Sequence, residues 1–124
     1  MEKVVKIKLK EGFEYNVKFP TVSQLLEIEA LKMAYTNNAY GTLAQNGLKS
    51  SSYALDMADC FSTFQILIPD MIKDLGIKSF TQLDVFEAKK IVKVYIQQFQ
   101  PWMTELLTDL YKMEDDAVKE QEEA

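Results

Sequence analysis

The chain has 124 residues, 48% of them hydrophobic and 27% charged, which predicts one globular domain rather than a disordered chain. It has no His, and all fourteen basic residues are Lys, so it lacks the commonest general base, the commonest metal ligand and the guanidinium group that reads guanine and phosphate. The net charge of −5 is carried by residues 114–124, with six acids and one Lys, so the remaining body is neutral and has no net attraction for nucleic acid.

Residues 4–19 alternate apolar and polar side chains with a period of two, which predicts a β-hairpin. A three-residue turn over 10–12, with Gly12 in the left-handed conformation, places the large apolar residues on one face. The predicted facing pairs are Leu9 and Phe13, Ile7 and Tyr15, and Val5 and Val17. A lone hairpin is marginal in water, so we expect its apolar face to pack on helices or its edge to pair with another chain.

The first helix is predicted over residues 22–35, because Pro20 ends the strand and Thr21 followed by Gln24 fits a capping box. Its apolar residues form a broad face of Val22, Leu25, Leu26, Ala30 and Met33 and a second, roughly opposite face of Ile28, Leu31 and Tyr35. A helix that is apolar on two sides either lies centrally in its domain or forms an interface. We predict that the second face binds a partner; the alternative is that both faces are core.

The residues that follow predict a long loop and then a series of helices. Residues 36–52, rich in Asn, Gly and Ser, are predicted as the loop, with a short helical turn around Leu43. Helices are predicted over residues 51–68, 70–75 and 81–99 and from Pro101 onward.

These elements predict a mainly α (α+β) fold in a single domain over 1–113. The β-hairpin occupies residues 1–20, and a bundle of four to five helices occupies residues 21–113. Residues 114–124 are predicted as an acidic tail that frays from the last helix.

No constellation of residues in the sequence has catalytic, cofactor-binding or metal-binding character, so we predict that the chain is not an enzyme. Cys60 lies on an apolar helical stripe with no His to activate it, which indicates a buried structural thiol. Asp56 and Asp59 form the best carboxylate pair, and without a third ligand they indicate a solvated helix face. Lys89, Lys90 and Lys93 also predict a solvated face; contact with phosphate or an acidic partner is the alternative.

The cellular compartment is indicated by what the sequence lacks. One cysteine excludes an internal disulfide and fits a reducing environment. No stretch approaches the ~20 apolar residues of a membrane span, and the N-terminal residues lack the apolar core of a signal peptide. We therefore expect an intracellular protein with no membrane contact.

The segment KFPTVSQLLEIEALKMAYTNNAYG, residues 18–41, resembles small virion-associated or tail-assembly proteins of tailed phages. It combines a short strand ending in FP, a helix with the core QLLEIEALK and the turn AYTNNAYG. The later stretches LDMADCFSTFQILIPDMIKDLGI and YIQQFQPWMTELL are similar in style. The resemblance implies a non-catalytic assembly protein, first of all a tail assembly chaperone that holds other tail proteins in the host cytoplasm until assembly. It carries over no functional residue.

Binding of this kind needs exposed apolar surface, which we predict on the second face of the first helix and on the hairpin. The candidate partner-binding residues are Val5, Ile7, Ile28, Leu31, Tyr35 and Tyr40. The expected partners are other phage structural or assembly proteins and further copies of the chain. One alternative is a virion component, such as a head–tail connector or decoration protein, whose hairpin adds a strand to a neighbour's sheet. A second is a small regulator that binds nucleic acid through the three lysines of residues 89–93.

Overall fold

A computed structural model describes residues 3–123, with side chains described as far as Val118. An antiparallel hairpin of β1 (Val4–Lys10) and β2 (Phe13–Lys18) comes first. Over the described residues six α-helices follow: α1 (Val22–Tyr35), α2 (Tyr40–Asn46), α3 (Lys49–Leu67), α4 (Pro69–Asp74), α5 (Val85–Val94) and α6 (Gln100–Glu123). The predicted fold class, mainly α with an N-terminal hairpin, is confirmed.

The hairpin has the predicted register over most of its length. Ile7 lies opposite Tyr15, and Val5 opposite Val17. The closing pair is Lys10 with Phe13 instead of Leu9 with Phe13, because the register shifts between Lys8 and Lys10. Gly12 has φ +83°, the left-handed conformation that the turn requires and that glycine adopts without strain.

The outer edge of β1 is closed at its centre by the side chain of Gln98. The Lys8 N–H donates to Gln98 Oε1 over 2.7 Å, and Gln98 Nε2 donates to the Lys8 carbonyl oxygen over 2.9 Å. An amide side chain that satisfies both backbone groups leaves no template for another strand at this point. The open hairpin edge that the sequence predicted as a contact surface is therefore occupied at Lys8 by the chain itself.

Replacing Gln98 by Ala is expected to lower the free energy of unfolding by about 1–3 kcal/mol, because two hydrogen bonds of about 0.5–1.5 kcal/mol each are lost. Urea denaturation followed by circular dichroism measures the change. Gln97 is its exposed neighbour, and Gln97→Ala should stay within about 0.5 kcal/mol of the unmodified chain. Equal losses in the two variants would contradict the role assigned to Gln98.

An aromatic cluster joins α3 to the segment between α5 and α6 at the centre of the core. The Phe64 side chain is 0% exposed, and its ring lies edge-on to the rings of Tyr95 and Phe99, at 5.5 and 6.1 Å between centroids. Tyr95 and Phe99 stack on each other at 5.3 Å. Burial raises the pKa of Tyr95 to about 12, so its ring stays neutral inside the core.

Helix α5 passes into α6 through one widened turn over Tyr95–Phe99, whereas the sequence predicted one helix ending at residue 99 and another beginning at Pro101. The Gln100 N–H bonds to the Tyr95 carbonyl, five residues back. Pro101 has no N–H, and its ring crowds the carbonyl four residues earlier, so a widened turn ahead of it lets the helix continue. Trp102 is 8% exposed, and its ring lies 5.6 Å from that of Phe99, centroid to centroid, in the core.

Residues 36–52, predicted as a long loop, are mostly helical, because they contain α2 and the start of α3. Asn37 and Asn38 have φ of 51° and 64° at the end of α1, and Gly47 has φ 69° at the end of α2. Asn and Gly are the residues that adopt this left-handed conformation most readily. Here they end two helices and do not mark one continuous loop.

The last helix extends beyond the body of the protein. Its first turns are anchored by Trp102 and Leu106, each 8% exposed, but every side chain from Thr108 to Val118 is exposed. With 24 residues, α6 is about 36 Å long. The backbone of residues 114–123, predicted to fray, continues this helix. Among the described residues, no helix combines the length and apolar character needed to cross a membrane.

Candidate protein-binding groove

An open apolar groove of about 650 Å³ runs between α3 and α5. Its apolar lining comes from Tyr53 and Met57 on α3, Val85 and Phe86 at the start of α5, and Ile96 in the widened turn. The Phe86 side chain is 84% exposed and that of Val85 64%. Exposed apolar residues that gather along a concave surface are typical of a binding site.

Phe86 is exposed because of where α5 begins. Asp84 caps the helix, accepting the Glu87 N–H over 2.8 Å, so Phe86 falls in the first turn. The buried face of α5 starts at Ala88 and continues through Ile91 and Val92, and at 100° per residue Phe86 points away from it. Leaving a Phe side chain in water forgoes roughly 1.5–3 kcal/mol of burial, which a bound partner can recover.

Three lysines of α5 lie along the groove: Lys89, Lys90 and Lys93. The Lys89 ammonium lies 4.4 Å from the centroid of the Tyr53 ring and donates to the Tyr53 hydroxyl over 3.4 Å. This hydrogen bond is the main cause of a lowered pKa at Tyr53. In the part of the chain that the structure describes, no carboxylate oxygen lies within 4.0 Å of any of the three ammonium groups. The groove therefore has a positive rim that forms no ion pair with the described carboxylates.

Asp56 is an acid that also lines the groove, on α3. Burial is the main cause of its raised pKa, and the charge of Asp59 contributes. Because the pKa of the folded state lies above that of the unfolded chain, Asp56 contributes stability at low pH that is lost as the pH rises through the folded pKa. At neutral pH its carboxylate is therefore better solvated in the unfolded chain.

Replacing Asp56 by Asn is accordingly expected to raise the free energy of unfolding at pH 7 and to leave it unchanged near pH 3, where the acid is already neutral. Urea denaturation at the two pH values measures the difference. Asp109, exposed on α6, supplies the matched Asp→Asn control and should show no such gain. A loss of stability at pH 7 in Asp56→Asn would contradict the assigned cause.

The sequence placed the contact surface on six other residues, and the structure buries two of them. Ile7 and Ile28 are 0% and 3% exposed, so neither side chain reaches the surface. Val5, Leu31, Tyr35 and Tyr40 are half-buried. None of the six lines the groove.

The two tyrosines in this set hold helices together. The Tyr35 hydroxyl donates to Gln65 Oε1 over 2.7 Å, and the Tyr40 hydroxyl donates to Asp59 Oδ1 over 2.8 Å. Burial raises the pKa of both hydroxyls. Asp59, predicted to face solvent, also lies 3.5 Å from the Lys32 ammonium. These contacts fix α1 and α2 on α3.

The two apolar faces predicted for α1 both exist, but their roles are reversed. The face predicted to bind a partner contains the buried Ile28 and packs on α3, and the broad face is the exposed one. Its exposed side chains are Val22 at 78%, Leu26 at 67%, Leu25 at 46% and Met33 at 38%. This is a second exposed apolar surface, on the outside of a single helix.

The remaining candidate groups are structural. Cys60 is 0% exposed, as predicted for a core thiol, and burial raises its pKa well above the usual value. Among the described residues, no group of three or more His, Cys, Asp or Glu side chains is placed to hold a metal ion. Comparison with protein-family models, with curated proteins and with solved structures finds no match for this chain.

Proposed function

We propose that the protein is a non-enzymatic assembly protein that binds an amphipathic helix of a partner in the groove between α3 and α5. The proposal is carried by Phe86, a large apolar side chain 84% exposed in a groove that it shares with three lysines. A helix that lays its apolar face into such a groove is a common mode of recognition. The positive rim favours a partner helix with carboxylates beside its apolar face.

The biological setting we propose is phage tail assembly, with the protein as a tail assembly chaperone in the host cytoplasm. The resemblance of residues 18–41 to phage tail-assembly proteins supports this setting. The exposed apolar side chains of the groove support it physically, because a chaperone must offer apolar surface to its clients. The clients are other phage structural or assembly proteins.

Co-expression with the products of neighbouring genes, followed by size-exclusion chromatography with light scattering, tests the binding role. One such product should co-elute with the unmodified chain and should be lost when Phe86 is replaced by Asp. Leu26→Asp on the outer face of α1 makes the same kind of change at a 67% exposed side chain, and this control should retain the partner. Absence of any co-eluting product would refute the client role, and retention of the product by Phe86→Asp would refute the groove as its binding site.

The first alternative to a chaperone is a virion component. Mass spectrometry of purified particles distinguishes the two. A chaperone is absent from mature particles, whereas a connector or decoration protein is present in fixed ratio to the major proteins. Since Gln98 occupies the centre of the β1 edge, addition of a neighbour's strand would have to use β2.

Binding of single-stranded nucleic acid is favoured by one observation, the presence of Tyr53 and Phe86 beside the three lysines. Aromatic rings between cations are the surfaces on which bases stack. The net charge of −5 and the absence of Arg weigh against it. Fluorescence anisotropy with a labelled single-stranded oligonucleotide at low salt decides the matter: no binding removes this alternative.

A further inference from the structure

We infer that the groove of one copy binds the projecting end of α6 from a second copy, and that a partner protein must displace this segment to bind. The inference rests on the proposed function, because it names an occupant of the same groove. The chain itself carries a helix with the properties that the groove favours.

The projecting part of α6 has one apolar side, and its described side chains, from Thr108 to Val118, are all exposed. Leu110, Met113 and Ala117 continue the spacing of three and four residues that Met103 and Leu106 begin inside the body. The flanking apolar side chains are Tyr111 and Val118. The exposed fractions are 43% for Leu110, 60% for Tyr111, 68% for Met113 and 53% for Val118. An amphipathic helix obtains most of its stability by packing this side against another surface.

The charges of the two surfaces are complementary. Glu114, Asp115 and Asp116 lie among the exposed apolar residues of α6, and all three are exposed. The groove offers three ammonium groups without a carboxylate of the described residues within 4.0 Å. Opposite charges of this kind steer encounter and set the orientation of docking.

The charges also disfavour the pairing of two α6 ends with each other. The segment 110–118 holds three acids and one Lys, so two such segments side by side repel in either direction. Docking within one chain does not occur in this structure, where both Phe86 and Met113 are exposed. The segment in the groove therefore comes from a second copy.

Such an interface is heterologous, because a groove on one copy meets a helix end on the next. In a dimer, one copy keeps a free groove and the other a free helix end, so association continues into rings or chains and depends on protein concentration. A partner that enters the groove competes with this association. Self-association then keeps the apolar groove covered until a client protein displaces the bound α6 segment.

The test uses two variants of the full chain, Phe86→Asp in the groove and Met113→Asp on α6, with multi-angle light scattering. The unmodified protein should show an average mass that rises above 14.3 kDa with concentration, while each variant alone stays at 14.3 kDa. An equimolar mixture of the two variants should form a dimer and nothing larger, because it contains one intact groove and one intact helix end per pair. Val22→Asp, at an exposed residue of α1, is the matched control and should self-associate like the unmodified chain.

Three results would overturn the inference: an unmodified chain that stays at 14.3 kDa at every concentration, a mixture that stays monomeric, or self-association that survives Phe86→Asp. Circular dichroism spectra of both variants should match the unmodified chain, since both positions are exposed. Failure of the self-docking inference is distinguishable from failure of the proposed function. A monomer that still captures a neighbouring-gene product through Phe86 refutes only self-docking, whereas self-association without any captured product refutes only the client role.

Discussion

Replacing Phe64 by Ala is expected to lower the free energy of unfolding by about 3–5 kcal/mol, the cost of removing a large aromatic side chain from a packed core. Its side chain is 0% exposed and contacts the rings of Tyr95 and Phe99, so the substitution opens a cavity where α3 meets the widened turn. Domains of this size are typically stable by about 5–15 kcal/mol, so a large share of the stability is lost. Urea denaturation followed by circular dichroism measures the change.

Phe86→Ala provides the matched control for this prediction, because it makes the same chemical change at a residue that is 84% exposed. The expected change in the free energy of unfolding is within about 0.5 kcal/mol. A large loss of stability in Phe86→Ala would show that Phe86 belongs to the core and would remove the groove as a binding surface.

Replacing Phe86 by Asp is expected to weaken binding in the groove by at least about thirtyfold in Kd, since buried aromatic anchors of interfaces contribute about 2 kcal/mol or more. The substitution removes the most exposed apolar side chain of the groove and adds a negative charge where the proposed ligand is acidic. Sedimentation equilibrium measures the dissociation constant of the proposed self-association.

Lys93→Gln separates the charge contribution from the apolar one. It should weaken binding less than Phe86→Asp, and the difference from the unmodified chain should shrink as salt is added, because exposed charges are screened. An unchanged Kd in Phe86→Asp would contradict the assignment of the groove as the interface.

Elements governed by neighbouring residues were predicted well from the sequence. The capping box at Thr21 and Gln24 placed the start of α1, and the observed helix has the predicted bounds. The alternation of residues 4–19 and the left-handed Gly12 gave most of the hairpin register. Both features depend on interactions within a few residues or across one turn, which the sequence displays directly.

Features governed by distant residues were not predicted. Both sides of α1 are apolar, and only packing on α3 determines that Ile28 is buried and Leu26 exposed. The Asn and Gly residues of 36–52 are compatible either with a loop or with two helix ends, and the choice is made by the packing of α2 on α3. In the same way, the sequence does not reveal that the side chain of Gln98 meets the edge of β1.

The groove also combines a feature that neighbouring residues reveal with one that depends on distant residues. The lysines of α5 were recognised as a patch, but Tyr53 lies on another helix, and only the fold brings it beside Lys89. One local signal was available: Phe86 follows the cap residue Asp84 directly and lies off the apolar stripe of α5. A large aromatic residue on the solvent side of a well-capped amphipathic helix favours an interface over a core position.

Backbone amide NMR spectra of the full chain, recorded from dilute to concentrated solution, provide the most direct measurement of docking in the groove. Head-to-tail docking predicts that signals of residues 85–96 and of residues 108–118 shift together and give the same dissociation constant, while those of residues 22–33 on α1 stay in place. Shifts confined to α6, shifts centred on α1, or spectra that do not change with concentration would contradict it.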